Sequence, residues 1–244
     1  MAKNKRRMAQ NRASKIARMA ARKKRTKAPS EGGRLARIGC TRGELGRSSV
    51  YGAYVGDTVF TEGIGNVIIA RVLPDGRIVA GVFLVDAYCL GVKNAFMMVE
   101  PRVEFDAIIE TQFDVTGLKP VKPACARKLV DDAIVYARDL GFEPHRDFRD
   151  ASAVLGDIDP TECDQTFTFG KDGKPFYVSG PNDSDVMIRR VTTQLRNRCG
   201  LDGAHFMVHL NDPAKGEKLG LKGRIISADG DEPTLPGKVH DPLN

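Results

Sequence analysis

Asp86 closes the apolar run "IVAGVFLVD", and Lys93 follows seven residues later in "DAYCLGVKN". A carboxylate at the end of such a strand needs a partner once it leaves water, and strand ends are common places for chemistry. Lys93 is placed to return to it. In "FEPHRDFRDA", His145 stands beside Asp147 and Asp150. An imidazole next to carboxylates can act as a general base or contribute to a metal site. Asp86, Lys93, His145 and Asp147 are therefore the candidate catalytic residues. Asp86, His145 and Asp147 together would suit Mg²⁺ or Mn²⁺ in a hydrolase or nuclease. Each also has an ordinary role. Asp86 can cap a turn or form a buried ion pair, Asp147 can cap a helix, and His145 sits in a polar loop. No motif requires a cofactor.

Two further stretches have phosphate-binding ingredients. "GKDGKPF" lacks the spacing of a phosphate loop, because Lys174 is followed by Pro175 and an apolar run instead of a hydroxyl residue and a helix. Asp172-Gly173 between "FTF" and "FYV" predicts a hairpin turn, with Lys171 and Lys174 as charges at its tip. "GPNDSD" joins a strand to a helix. Asn182, Asp183 or Ser184 is expected to cap that helix, and anion or metal binding is the competing reading. His205 and His209 follow Cys199 in a strand-like run. On a strand they would be about 13 Å apart, too far to share one zinc ion.

The charge distribution is the most informative feature. Residues 1–30 hold Lys3, Lys5, Arg6, Arg7, Arg12, Lys15, Arg18, Arg22, Lys23, Lys24, Arg25 and Lys27, and no acid. Removing these twelve cations from the chain's 38 leaves 26 against 31 acids, a body of about −5 carrying a strongly basic arm. The arm is rich in helix formers, but its cations recur every three or four residues and repel. Disorder in solution and helix on a polyanion are expected, since phosphates neutralise the repulsion and release counterions. Lys and Arg are equal in number and serine is scarce in the arm, which disfavours a transit peptide. No apolar segment follows the arm as a secretory signal would need, and no run is long enough for a membrane span.

The elements that must position these groups are legible from pattern. Residues 31–49 are rich in Gly, Ser and Arg and read as a linker, with Arg34, Arg37, Arg42 and Arg47 extending the basic surface. The folded body is expected over 50–210, with a loose tail over 211–244 in which "GRIISAD" could add one edge strand. "NVIIARVLPDGRIVAGVFLVD" is a hairpin about Pro74-Asp75-Gly76, and its second strand is apolar on both faces. Helices are predicted in "RVEFDAIIETQF", "PACARKLVDDAIVYARDLGF", "DVMIRRVTTQLRNRCG" and, shorter, from Phe148 to Leu155. The fold class is α+β: antiparallel hairpins forming a central sheet packed by three or four helices, behind a basic arm. Five cysteines with no C-x-x-C pair predict reduced, partly buried thiols in a cytoplasmic protein.

The stretches "VFLVDAYCLGVKNAF", "GFEPHRDF" and "FTFGKDGKPFYVSGPND" resemble a group of uncharacterised bacterial proteins. The resemblance spans roughly residues 60–185 and leaves out the arm. It implies bacterial origin and a shared body, and it implies no activity.

Three functions follow as expectations. The first is a nucleic-acid-binding protein, with RNA or a ribonucleoprotein as partner, that uses its arm. The second is the metal-dependent hydrolase or nuclease. The third is a protein–protein adaptor, which would expose a large apolar patch on its body.

Overall fold

The computed structural model of the chain describes residue 35 and residues 38–180 and 183–208. The basic arm, His209 and the expected C-terminal tail lie outside the described residues. Within them the elements run in the order α1 (Arg42–Arg47), β1 (Val50–Gly56), α2 (Thr58–Thr61), β2 (Ile64–Val72), β3 (Ile78–Asp86), β4 (Gly91–Glu100), α3 (Arg102–Thr116) and β5 (Leu118–Pro120). They continue with α4 (Pro123–Asp139), α5 (Phe148–Ala151), two 3₁₀ turns (Ser152–Val154 and Pro160–Glu162), β6 (Phe176–Val178), α6 (Asp185–Cys199) and β7 (His205–Met207).

The main sheet has five antiparallel strands in the order β4-β3-β2-β1-β5. Strand alternation explains its two buried faces. Val67, Ile69, Val79, Phe83 and Val85 point to one side, where Ala126, Leu129, Val130 and Ala133 of α4 pack on them. Ile68, Ala70, Ile78, Ala80 and Val82 point to the other, against Phe105 of α3. β3 is thus covered on both sides, as its unbroken apolar run requires. The β2–β3 turn uses Gly76 at φ +84°, with its N–H donating to the Leu73 carbonyl at 2.9 Å. α4 ends where expected, with Gly141 at φ +87° just past its cap.

A smaller core stands beside the sheet. Ile188, Val191 and Leu195 of α6 meet Ala137 and Leu140 at the end of α4, together with Tyr177, Cys89 and Leu90. β6 and β7 form a two-stranded parallel sheet here. Among the described residues, no helix is long and apolar enough to cross a membrane.

Four expectations are corrected. The linker over 31–49 is ordered in its second half. α1 begins at a capping box between Thr41 and Glu44, and Leu35, Cys40 and Leu45 are buried in the main core. The signal in "TRGE" was a helix start hidden by neighbouring glycines. The thiols are not all reduced, since Cys125 at the start of α4 is joined to Cys163 after the second 3₁₀ turn. Their Cα atoms lie 5.0 Å apart although 38 residues separate them, a proximity only the fold creates.

The hairpin at Asp172-Gly173 keeps its turn but loses its ladder. Both turn residues have positive φ, at +54° and +77°, and Lys171 and Lys174 exchange backbone hydrogen bonds of 2.8 and 3.1 Å. The preceding "FTF" forms no strand. Phe167 stacks on Phe60 and Phe169 on Tyr136, while Gly170 and Phe176 donate to the Ala87 and Tyr88 carbonyls. Packing against the β3–β4 connection outweighs pairing within the segment. Asp147 precedes α5 without capping it, because its side chain accepts no hydrogen bond from the helix.

Candidate functional site

Asp86 ends β3 and is buried, at 6 % exposure. Its Oδ1 accepts N–H bonds from Tyr88 at 3.1 Å and Cys89 at 2.9 Å. The carboxylate therefore closes the turn that carries the chain from β3 into β4. Burial pushes its pKa up to about 6, and the Cys89 amide, Lys93 and the neighbouring amides limit the rise.

Lys93, near the start of β4, lies close enough to stabilise the Asp86 charge. Its Nζ contacts Asp183 Oδ2 at 3.5 Å. Asp183 belongs to the loop that leads into α6. The same Oδ2 accepts from the Tyr177 hydroxyl at 2.8 Å and from the Gly180 N–H at 2.9 Å. Burial pushes the Asp183 carboxyl up, but the Gly180 amide, Tyr177 and Lys93 together hold it below the usual carboxylate range. Tyr177 is driven well above the ordinary phenol range by burial and by its bond to Asp183. Burial likewise raises Cys89, so its thiol holds its proton more tightly than an exposed cysteine does.

The cluster therefore contains one ammonium and two carboxylates, bridging the β3–β4 turn to the loop before α6. It offers an acid whose pKa burial pushes up to about 6, next to a lysine. Its exposed surface is small.

His145 and Asp147 form a separate pair. The His145 amide donates to the Val92 carbonyl at 2.9 Å, which pins the loop against β4. The imidazole Nδ1 accepts from the Asp147 amide at 3.3 Å and lies 4.0 Å from the Asp147 carboxylate. Arg146 also contacts Asp147, at 3.7 Å. Both members of the pair are one-third exposed. The fold thus places Asp86 within electrostatic reach of Lys93 and sets His145 beside Asp147. Among the described residues, no group of three or more His, Cys, Asp and Glu is placed to hold a metal ion. The expected set of Asp86, His145 and Asp147 is not gathered.

In "GPNDSD" the helix cap is Ser184, whose hydroxyl accepts from the Met187 amide at 3.3 Å. Asn182 lies outside the described residues. The lysines of the Asp172-Gly173 turn are both engaged. Lys171 lies 5.0 Å above the Phe176 ring, and Lys174 donates to the Asp202 carbonyl at 3.0 Å. His205 is exposed on β7.

One residue had a signal that pattern reading passed over. Arg71 is the only cation in the apolar strand "NVIIARV", and it is buried at 1 % exposure. It donates to the carbonyls of Ser48, Val154 and Leu155 and pairs with Asp157 at 2.8 Å. A cation at an inward strand position must find acceptors, so its burial was readable in principle. Asp183 carried no such signal, because its partner Lys93 is remote in sequence.

No protein-family model, curated protein or solved structure matches the chain.

Proposed function

We propose that this protein binds nucleic acid, with RNA as the principal partner, through its basic N-terminal arm. One observation carries the reading: twelve cations and no acid in residues 1–30, attached to a body of about −5. A polyanion neutralises the arm's self-repulsion and releases its own condensed counterions, a large driving force that the body's charge does not supply. The body's negative balance also opposes non-specific collapse of nucleic acid over its whole surface. Binding is therefore directed to one end of the chain.

Deleting residues 1–30 is the test. The full chain should bind single-stranded RNA with an affinity that falls steeply with salt, as expected for several phosphates neutralised together. The truncated chain should lose that binding. Equal affinity of the two forms at physiological salt would refute the proposal.

A further inference from the structure

The linker arginines Arg42 and Arg47 sit on α1, at the edge of a cleft of about 540 Å³ that Arg127 of α4 also lines. We propose that this cleft is a phosphate-binding site for the backbone of a nucleic-acid strand held by the arm, an inference that rests on the nucleic-acid reading above.

Charge is the first reason. Two carboxylates, Asp131 and Asp157, also line the cleft. Each has its own arginine. Asp131 pairs with Arg127 at 3.2 Å, and Asp157 pairs with the buried Arg71 at 2.8 Å. Arg42 and Arg47 form no direct ion pair among the described residues, although the Arg47 charge also acts on Asp157 and Glu44 from a distance. Arg42 is held in place by neutral acceptors, the Arg149 carbonyl and the Ser152 hydroxyl. Arg47 is exposed, and its guanidinium donates no hydrogen bond to any described residue. The one acid on α1, Glu44, is turned back onto Thr41, at 2.8 Å from its amide and 2.7 Å from its hydroxyl.

Shape is the second reason. Gly43 and Gly46 face the cleft from α1, and Gly156 faces it from the opposite wall. A Cβ on Gly156 would stand 2.1 Å from the Gly46 carbonyl oxygen, so the two walls meet backbone to backbone at the floor. A Cβ on Gly43 would lie 3.7 Å from the Arg47 guanidinium, which therefore folds over α1 towards Arg42. The guanidinium forks of Arg42 and Arg47 thus border one small concave space. Planar forks of this kind match the oxygens of a phosphate.

Position is the third reason. Ser30, the end of the acid-free arm, stands five positions before Leu35, which is buried in the main core with Leu45 of α1. Fully extended, those five residues span at most about 18 Å. A strand lying along the arm can therefore reach the cleft without leaving it. The arm supplies affinity, and the cleft fixes where the strand meets the body.

The test measures binding of full-length protein to a mixed-sequence single-stranded RNA over a salt series. Arg47→Gln removes a cation that makes no structural hydrogen bond, so its melting temperature should match wild type. It should weaken binding about three- to tenfold and reduce the log–log salt slope by about 0.7, the loss of one phosphate contact. Arg47→Lys should retain most of the slope. Arg138→Gln, an equal charge loss on α4 away from the cleft, should change binding less than about twofold. If Arg47→Gln behaves like Arg138→Gln while deletion of residues 1–30 still abolishes binding, the cleft assignment fails and the arm reading stands. If wild type binds neither RNA nor DNA, both fall. Arg47-dependent binding of adenosine monophosphate, with RNA indifferent to Arg47, would mark a small-ligand site and overturn the polymer assignment.

Discussion

Lys93 Nζ stands 3.5 Å from Asp183 Oδ2, ninety residues away, and ties the start of β4 to the loop before α6. The charge of the same ammonium also acts on the buried Asp86 carboxylate, so one cation serves two carboxylates.

Removing that cation should expose the repulsion it masks. Lys93→Met is expected to destabilise the fold by about 2–3 kcal/mol at pH 7.5, because the buried Asp86 and the partly buried Asp183 lose their counter-ion. The loss should shrink near pH 5, where Asp86 takes up a proton. Denaturant titrations of wild type and variant at both pH values check this. An equal loss at both would show that packing of the lysine stem, and not charge, is what matters.

Asp86 also predicts a pH dependence of its own. Its folded pKa of about 6 lies above the ordinary 3.8, so the folded state holds the proton more tightly than the unfolded chain. Its favourable contribution is complete below about pH 4 and is lost as pH rises to about 6. Asp183 acts in the opposite sense, adding stability above the ordinary carboxyl range and losing it as pH falls. Asp86→Asn keeps an oxygen for the Tyr88 and Cys89 amides and removes the titration. Its stability curve should be flatter than wild type between pH 4 and 6. Parallel curves would assign the slope to other groups.

The Cys125–Cys163 disulfide closes a loop of 38 residues. Reduction should destabilise the fold by about 2–4 kcal/mol, through the entropy returned to the unfolded chain. The Cys125→Ala, Cys163→Ala double variant should melt at the temperature of the reduced wild type and ignore added reductant. Thiol trapping in cell extracts then reports the redox compartment directly. A wild-type melt insensitive to reductant would contradict the link.

Arg71 is the anchor of the segment after α5. Arg71→Met should cost about 3–5 kcal/mol, because carbonyls of Ser48, Val154 and Leu155 lose a charged donor. Urea unfolding measures it as a lower midpoint with an unchanged slope. Asp157→Asn, which touches only the exposed end of the same network, should cost much less.

What was legible in the sequence was what depends on near neighbours. Apolar runs rich in Val and Ile defined β2 and β3, and Pro74-Asp75-Gly76 defined their turn. Spacing of three and four defined α4 and α6, and Gly141 and Gly200 marked their ends. The acid-free run to Ser30 separated the arm from the body. These are local properties, set by backbone sterics and by which side of an element meets water. Tertiary structure alone decided the rest. It paired Cys125 with Cys163, gave Lys93 a second carboxylate in Asp183, and kept His145 and Asp147 apart from Asp86. It also drew Phe167 and Phe169 away from a strand ladder and set Arg42 and Arg47 beside Arg127. Each of these depends on chain segments brought together from tens of residues apart. Local pattern carries no record of such distances, because burial and partner choice are settled only when the sheet and α4 close on each other.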